Sequence, residues 1–236
     1  MKPSIANNIE QVCARIQNAE KAADRRPGTV QLLAVSKTRS ADEVRQAVAA
    51  GVQHIGENYL QEALDKQVEL GENSAPIVWH FIGPIQSNKT LPIANHFTWV
   101  HSVDRLKIAQ RLSKQRDPQK TPLNICIQVN ISNETSKSGV SLESLPALAQ
   151  AIDAMPQLKL RGLMTIPAVH QTEAALVTDF SRMQSSLDSL NASGLSLDTL
   201  SMGMSGDIET AITAGSTMVR VGTAIFGARN SPPNTA

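Results

Sequence analysis

Lys37 stands between an apolar run, Gln31-Leu32-Leu33-Ala34-Val35-Ser36, and a helix-start sequence, Ser40-Ala41-Asp42-Glu43. A lysine at the C-terminal end of the first strand of an alternating β/α chain lies where such folds gather reactive groups. Its amine can form a Schiff base with an aldehyde; the plain alternative is a solvated loop lysine. Alternation along the strand puts Lys37 on the face of Val35 and Leu33, toward a barrel mouth and away from the helices. Far along the chain, Ser201-Met202-Gly203-Met204-Ser205-Gly206-Asp207 joins another strand to a helix. Small residues there expose backbone amides, hydroxyls add donors and the helix start adds its dipole, which together favour an anion. Ser201, Gly203, Ser205 and Gly206 are the candidates, set against a mere tight connection with Asp207 as an ordinary cap. In Arg220-Val221-Gly222-Thr223, Gly222 permits close approach to the backbone, and the amides of Gly222 and Thr223 could face the same anion. Arg220 shares an inward face with Met218, where a satisfied internal ion pair is the alternative. Asn58, in Gly56-Glu57-Asn58-Tyr59, is either a ligand hydrogen-bonding group or a helix cap.

These residues need a frame that brings distant strand ends together. Short apolar runs at 30–35, 53–55, 78–82, 98–101, 124–130, 160–165, 198–201 and 217–221 alternate with amphipathic segments. Eight such units without a linker favour a closed (β/α)8 barrel over an open doubly wound sheet. Ile5, Ile9, Val12 and Ile16 predict an extra N-terminal helix over residues 4–24. Ser40 and Glu43 form a capping-box sequence, and Gly51, Gly194 and Gly215 stand where helices should stop. Residues 1–230 are expected to form one domain, with 231–236 a disordered tail. Aromatics make up only 3% of the chain, so Leu, Ile, Val, Ala and Met must fill the core, as in helices packed on a parallel sheet.

Composition narrows the partners. The formal net charge is +1 and the basic residues are scattered, so nucleic acid is not expected. No apolar run is long enough to span a bilayer, and the N-terminus lacks the apolar core of a signal peptide. Cys13 and Cys126 fit no metal spacing and point to a reducing compartment, so a cytoplasmic protein is expected. No long exposed apolar face is evident, and a monomer is expected.

A Schiff-base lysine on the first strand and an anion cradle on the last two suit one ligand, pyridoxal 5′-phosphate, with Arg220 near the pyridine nitrogen. A guanidinium cannot accept the pyridinium proton, and its charge disfavours protonating that nitrogen. The ring becomes a weak electron sink, suited to restricted carbanion chemistry or to simple holding.

Ala34-Val35-Ser36-Lys37-Thr38, Gly56-Glu57-Asn58, His80-Phe81-Ile82-Gly83 through Gln86-Ser87-Asn88-Lys89, Ser136-Lys137-Ser138-Gly139, Gly162-Leu163-Met164, Met202-Gly203-Met204-Ser205 and Arg220-Val221-Gly222-Thr223 resemble the pyridoxal phosphate homeostasis protein family. The resemblance runs from about residue 5 to residue 229. It implies a barrel similar to the N-terminal domain of alanine racemase, with Lys37 carrying the cofactor and 203–206 and 222–223 holding its phosphate. It also implies buffering, carriage or delivery of pyridoxal phosphate, with pyridoxal phosphate-dependent apoenzymes as partners, in place of robust turnover. Arg39 departs from a position where the family also has lysine, which leaves Lys137 as a candidate for a second, releasing amine.

Three rivals stand beside the carrier reading. A weak amino-acid racemase needs a second base, for which Tyr59 or a rim His80 are the visible candidates. A Schiff-base aldolase would use Lys37 on a phosphorylated sugar without the cofactor. A scaffold with a vestigial site would need none of these groups.

Overall fold

Each strand is a short apolar run closed by a polar junction that turns the chain into a helix. The computed structural model describes residues 4–71, 76–132, 138–168 and 172–228. Its first half runs α1 (Ile5–Ala22), β1 (Gln31–Val35), α2 (Ala41–Ala49), β2 (His54–Glu57), α3 (Leu60–Leu70), β3 (Val78–Phe81), α4 (Thr90–His96) and β4 (Trp99–Val103). Its second half runs α5 (Leu106–Gln115), β5 (Leu123–Gln128), α6 (Leu145–Asp153), β6 (Leu158–Met164), α7 (Glu173–Ala192), β7 (Thr199–Ser201), α8 (Ile208–Thr213), β8 (Met218–Val221) and α9 (Thr223–Phe226). Neighbouring strands pair in parallel from β1 to β8, and β8 pairs with β1. The sheet is therefore a closed eight-stranded barrel, as the alternation predicts. Ser136 and Lys137 and the expected tail at 231–236 lie outside the described residues.

Local chemistry sets the helix boundaries. Ser40 accepts from the Glu43 amide while Glu43 Oε2 accepts from the Ser40 amide at 2.8 Å, the reciprocal pair predicted for α2. Such a cap contributes about 1 kcal/mol. Ser4 and Thr172 cap α1 and α7 in the same one-sided sense, each accepting from the amide three residues on. Gly51, Gly194 and Gly215 take φ of 93°, 103° and 100° just past their helices, the left-handed stop that ends each one before the next strand.

The core has two layers. Between strands and helices, Ile108, Leu112, Ile125, Ile152 and Phe180 are fully buried, and each such side chain contributes roughly 1.5–3 kcal/mol by leaving water. Inside the barrel the filling is more polar: Trp99, Cys126 and Met164 pack there together with buried His80, His101 and Arg220. Helix α1 packs outside, against α2, α8 and α9. From there Arg15 Nη1 donates to Ser205 O at 3.0 Å and Asn8 Nδ2 to Ile225 O at 2.7 Å, bracing the segments that follow β7 and β8. Among the described residues, no helix is long and apolar enough to cross a membrane.

Candidate functional site

The strand ends open into a cavity of about 320 Å³, within the range of small-molecule sites. Lys37, Asn58, Ser205, Gly206, Arg220, Gly222 and Thr223 all line it, joined by Val35 and Arg39 from the β1 side. Ile82, Ile166 and Met204 supply an apolar wall that sequence reasoning did not single out. The parity reading of β1 holds, since Val35 and Lys37 face the cavity while Ala34 packs outward among Val44 and Val221.

Lys37 is half-buried and sits one residue beyond a buried polar network. Ser36 Oγ donates to Glu57 Oε1 at 2.5 Å, and Lys66 Nζ donates to Ser36 O at 2.7 Å, to Glu57 Oε1 at 2.8 Å and to Glu62 Oε1 at 2.6 Å. Glu62 Oε1 also accepts from the Thr38 amide at 2.6 Å. Thr38 has φ 62°, a left-handed conformation costly for a β-branched residue. Lys37 is thus clamped on both sides. Burial raises the Glu57 carboxyl above its usual range, against the lowering influence of Lys66 and Ser36.

Asn58 is not a helix cap. Tyr59 holds the N-cap position of α3 without a side-chain cap, and Asn58 Oδ1 is buried with no hydrogen-bond partner. A buried orphan acceptor on a cavity wall fits a ligand donor.

The anion cradle is built from both predicted loops. The amides of Ser205, Gly206, Gly222 and Thr223 donate to no acceptor among the described residues. Asp207 staples its loop by accepting from the Met204 amide, and Ser205 Oγ accepts from the Ala224 amide at 3.3 Å, tying the two loops together. A Cβ on Gly222 would stand 3.2 Å from Val35 O, so the bare glycine lets this backbone lie close against β1. Gly203 does not line the cavity: with φ 98°, and with a Cβ there falling 2.6 Å from Ala211 Cβ, it shapes the turn. Ser201 lies beneath the cavity, fully buried.

Arg220 is 5% exposed and forms no ion pair among the described residues, unlike the internal ion pair that is the alternative for it. Nη1 donates to Ser201 O and, at 2.9 Å, to Ser201 Oγ, and Nη2 donates to Thr165 O at 2.8 Å. All three acceptors are neutral. Burial brings the guanidinium down to about 10, partly offset by Asp207 and Cys126, and it stays charged at neutral pH. Its Nε–H and second Nη2–H are left for the cavity.

Other predicted groups lie elsewhere. Arg39 lines the cavity, but its Nη2 is taken by Gly227 O at 2.5 Å and Ala228 O at 3.1 Å. His80 is no rim residue: it is completely buried in the barrel and hydrogen-bonded on both ring nitrogens, because its position on β3 points inward. Tyr59 is 53% exposed and does not line the cavity. No cluster of metal-ligating side chains occurs among the described residues.

Residues 8–230 match the family model of the alanine racemase N-terminal domain. The pyridoxal phosphate homeostasis protein of Pseudomonas aeruginosa is 61% identical over 227 residues, covering 96% of each chain. That of Escherichia coli K12 is 49% identical over 232 residues, covering 96% of this chain and 97% of its own. Among solved structures, PipY of Synechococcus elongatus with pyridoxal phosphate bound superposes with a TM-score of 0.79 at 36% identity, covering 90% of this chain and all (100%) of PipY. Alanine racemase of Corynebacterium glutamicum, at 16% identity and TM-score 0.65 over 93% of this chain and 61% of its own, shares the fold.

Proposed function

This chain belongs to the alanine racemase N-terminal domain family, and within it to the pyridoxal phosphate homeostasis proteins, and from that membership we propose that it binds pyridoxal 5′-phosphate reversibly on Lys37. The observation that carries the reading is convergence: Lys37, the orphan Asn58 Oδ1, four amides without acceptors and a guanidinium with spare donors meet in one cavity. Bound pyridoxal phosphate supplies an aldehyde for reversible capture by an amine and an electron-poor ring. Lys37 Nζ would be the amine that takes this aldehyde, with water as the group released. The amides of Ser205, Gly206, Gly222 and Thr223 would hold the phosphate, with Ser201 and Gly203 shaping and supporting that side. Asn58 Oδ1 accepts from a ligand hydroxyl. Arg220 would stand by the pyridine nitrogen, where its charge would disfavour protonation.

Holding fits this set better than turnover. Ile82, Ile166 and Met204, which complete the wall, move no protons. The function is intracellular homeostasis of the cofactor in the cytoplasm, by a monomer that buffers it and yields it to pyridoxal phosphate-dependent apoenzymes. The test is the visible spectrum of purified protein with added pyridoxal phosphate, wild type beside Lys37→Ala. A Schiff-base band in the wild type alone supports Lys37 as the covalent anchor. No band in either protein refutes the reading and brings a cofactor-free aldolase to the front.

A further inference from the structure

Beneath the cavity, the barrel interior holds a file of three histidines that the proposed binding does not use, leading to Ser201 and Arg220. His54 Nδ1 lies 2.8 Å from His80 Nε2, His80 Nδ1 lies 2.9 Å from His101 Nε2, and His101 Nδ1 lies 2.8 Å from Ser201 Oγ. Ser201 Oγ in turn meets Arg220 Nη1 at 2.9 Å. The rings come from the successive strands β2, β3 and β4, so the file starts at His54, the first residue of β2, and ends under the cavity. Trp99 stacks on His80 with an interplanar angle of 13°, and Arg161 lies over Trp99 at 4.8 Å.

Hydrogen-bond counting gives this file a direction. A guanidinium only donates, so Ser201 Oγ must accept from Arg220. Ser201 has one hydroxyl proton, and among the described residues the other atom within its reach is His101 Nδ1. If His101 Nδ1 carried a proton, the buried hydroxyl proton of Ser201 would have no acceptor, a penalty that folded proteins avoid. His101 Nδ1 therefore accepts, its proton sits on Nε2 and passes to His80 Nδ1. His80 then carries its proton on Nε2 and gives it to His54 Nδ1, leaving the His54 Nε2–H at the half-buried end. Every internal donor finds one acceptor. The rings stay neutral: burial holds His80 well below the ordinary imidazole range, helped by its histidine neighbours, and burial with the Arg220 charge brings His101 to about 3.

We propose that His54, His80 and His101 are positioning residues for Arg220. They form a proton-ordered file, each ring an Nε2–H tautomer, with its polarity imposed by the guanidinium. The file keeps Ser201 Oγ turned toward Arg220 as a neutral acceptor, so the guanidinium is fixed in place without a carboxylate counter-ion. Its placement against a pyridine nitrogen rests on the proposed cofactor reading, but the proton order does not.

The experiment reads ring nitrogens by two-dimensional proton–nitrogen NMR of histidine-labelled protein without added cofactor. In the wild type, His54, His80 and His101 should all appear as neutral Nε2–H tautomers. Arg220→Met removes the donor that fixes Ser201, and His101 should then lose its tautomer preference. His54→Leu, at the far end of the file, should leave His101 in the Nε2–H form. A wild-type His101 carrying its proton on Nδ1, or an unchanged His101 tautomer in Arg220→Met, overturns the proton order. With pyridoxal phosphate added, Ser201→Ala should shift the visible maximum and weaken binding about tenfold. An unchanged spectrum and affinity overturn the positioning role, and a wild type that takes up no pyridoxal phosphate refutes the cofactor reading while leaving the tautomer result intact.

Discussion

Replacing Lys66 with methionine should destabilise the barrel severely and displace Lys37 at the same time. Lys66 is buried, and its three ammonium protons go to Ser36 O, Glu57 Oε1 and Glu62 Oε1. Without it, the Glu57 carboxylate stays in the interior, already with one oxygen unpartnered, and faces no cation. Leaving one partner of a buried ion pair uncompensated costs about 3–5 kcal/mol. For a chain of this length each kcal/mol lowers the melting temperature by roughly 2–4 °C, so a drop of roughly 6–20 °C is expected. The pH dependence has a definite sign. Burial already raises the Glu57 carboxyl and Lys66 pulls it down, so removing Lys66 raises it further. A carboxyl raised above its unfolded value favours the native state when protonated. The variant's deficit should be largest above the folded pKa and shrink as the pH falls through it. Circular-dichroism melts of wild type and Lys66→Met at neutral pH and about pH 5 measure both effects. The double variant Glu57→Leu/Lys66→Met, which removes both charges, should recover most of the loss. A loss below about 1 kcal/mol, or a deficit that grows on acidification, would show that the pair is not the buried charge couple described above.

Gly222→Ala should weaken pyridoxal phosphate binding about tenfold, because its Cβ would stand 3.2 Å from Val35 O and the backbone bearing the cradle amides must shift to relieve it; equal affinity in a spectroscopic titration refutes the cradle. Thr38→Gly should raise the melting temperature by roughly 2–4 °C, since relief of the φ 62° conformation outweighs the added chain entropy by about 1 kcal/mol; a lower melting temperature means that Thr38 is unstrained. With a thiol reagent at mildly alkaline pH, half-buried Cys13 should react first and Cys126 only on unfolding, because burial drives the Cys126 thiol up to about 12; two fast equivalents contradict that burial.

The barrel was legible because each strand is an apolar run short enough to be bounded by its own junctions. The expected runs at 98–101 and 160–165 became 99–103 and 158–164, shifts at the ends that leave the order intact. The cap at Ser40 and the glycine stops are local chemistry, readable from neighbours in sequence. Lys37, Gly222 and the Ser205-Gly206 turn were legible for the same reason, as strand-end residues of distinctive type. What escaped were partnerships across elements. Lys66 and Glu57 look like scattered surface charges until α3 is laid against β2. His54, His80 and His101 are separated by 26 and 21 residues and meet only when three strands stand side by side. Their one sequence signal is a polar residue at an inward position in each of three consecutive apolar strands. Ser201 was placed in the cradle because its neighbours are small; its inward parity sends it under Arg220.

Of the three cations that line the cavity, Lys37 and Arg220 are supported in opposite ways, and the contrast bears on holding against turnover. Lys37 follows a network of two carboxylates and a lysine that fixes the backbone on either side of it, so its position is set by Ser36 and Thr38. Arg220 is fixed through neutral acceptors alone. A carboxylate in contact with a pyridine nitrogen would stabilise its protonated form and make the ring a strong electron sink. The nearby acid is Asp207, and its Oδ1 is committed to the Met204 amide while burial raises its carboxyl. On the proposed binding, a guanidinium facing the ring would add little to carbanion formation, while capture by Lys37 would keep its full driving force. A cavity built this way suits the reversible holding proposed above better than turnover on the ring.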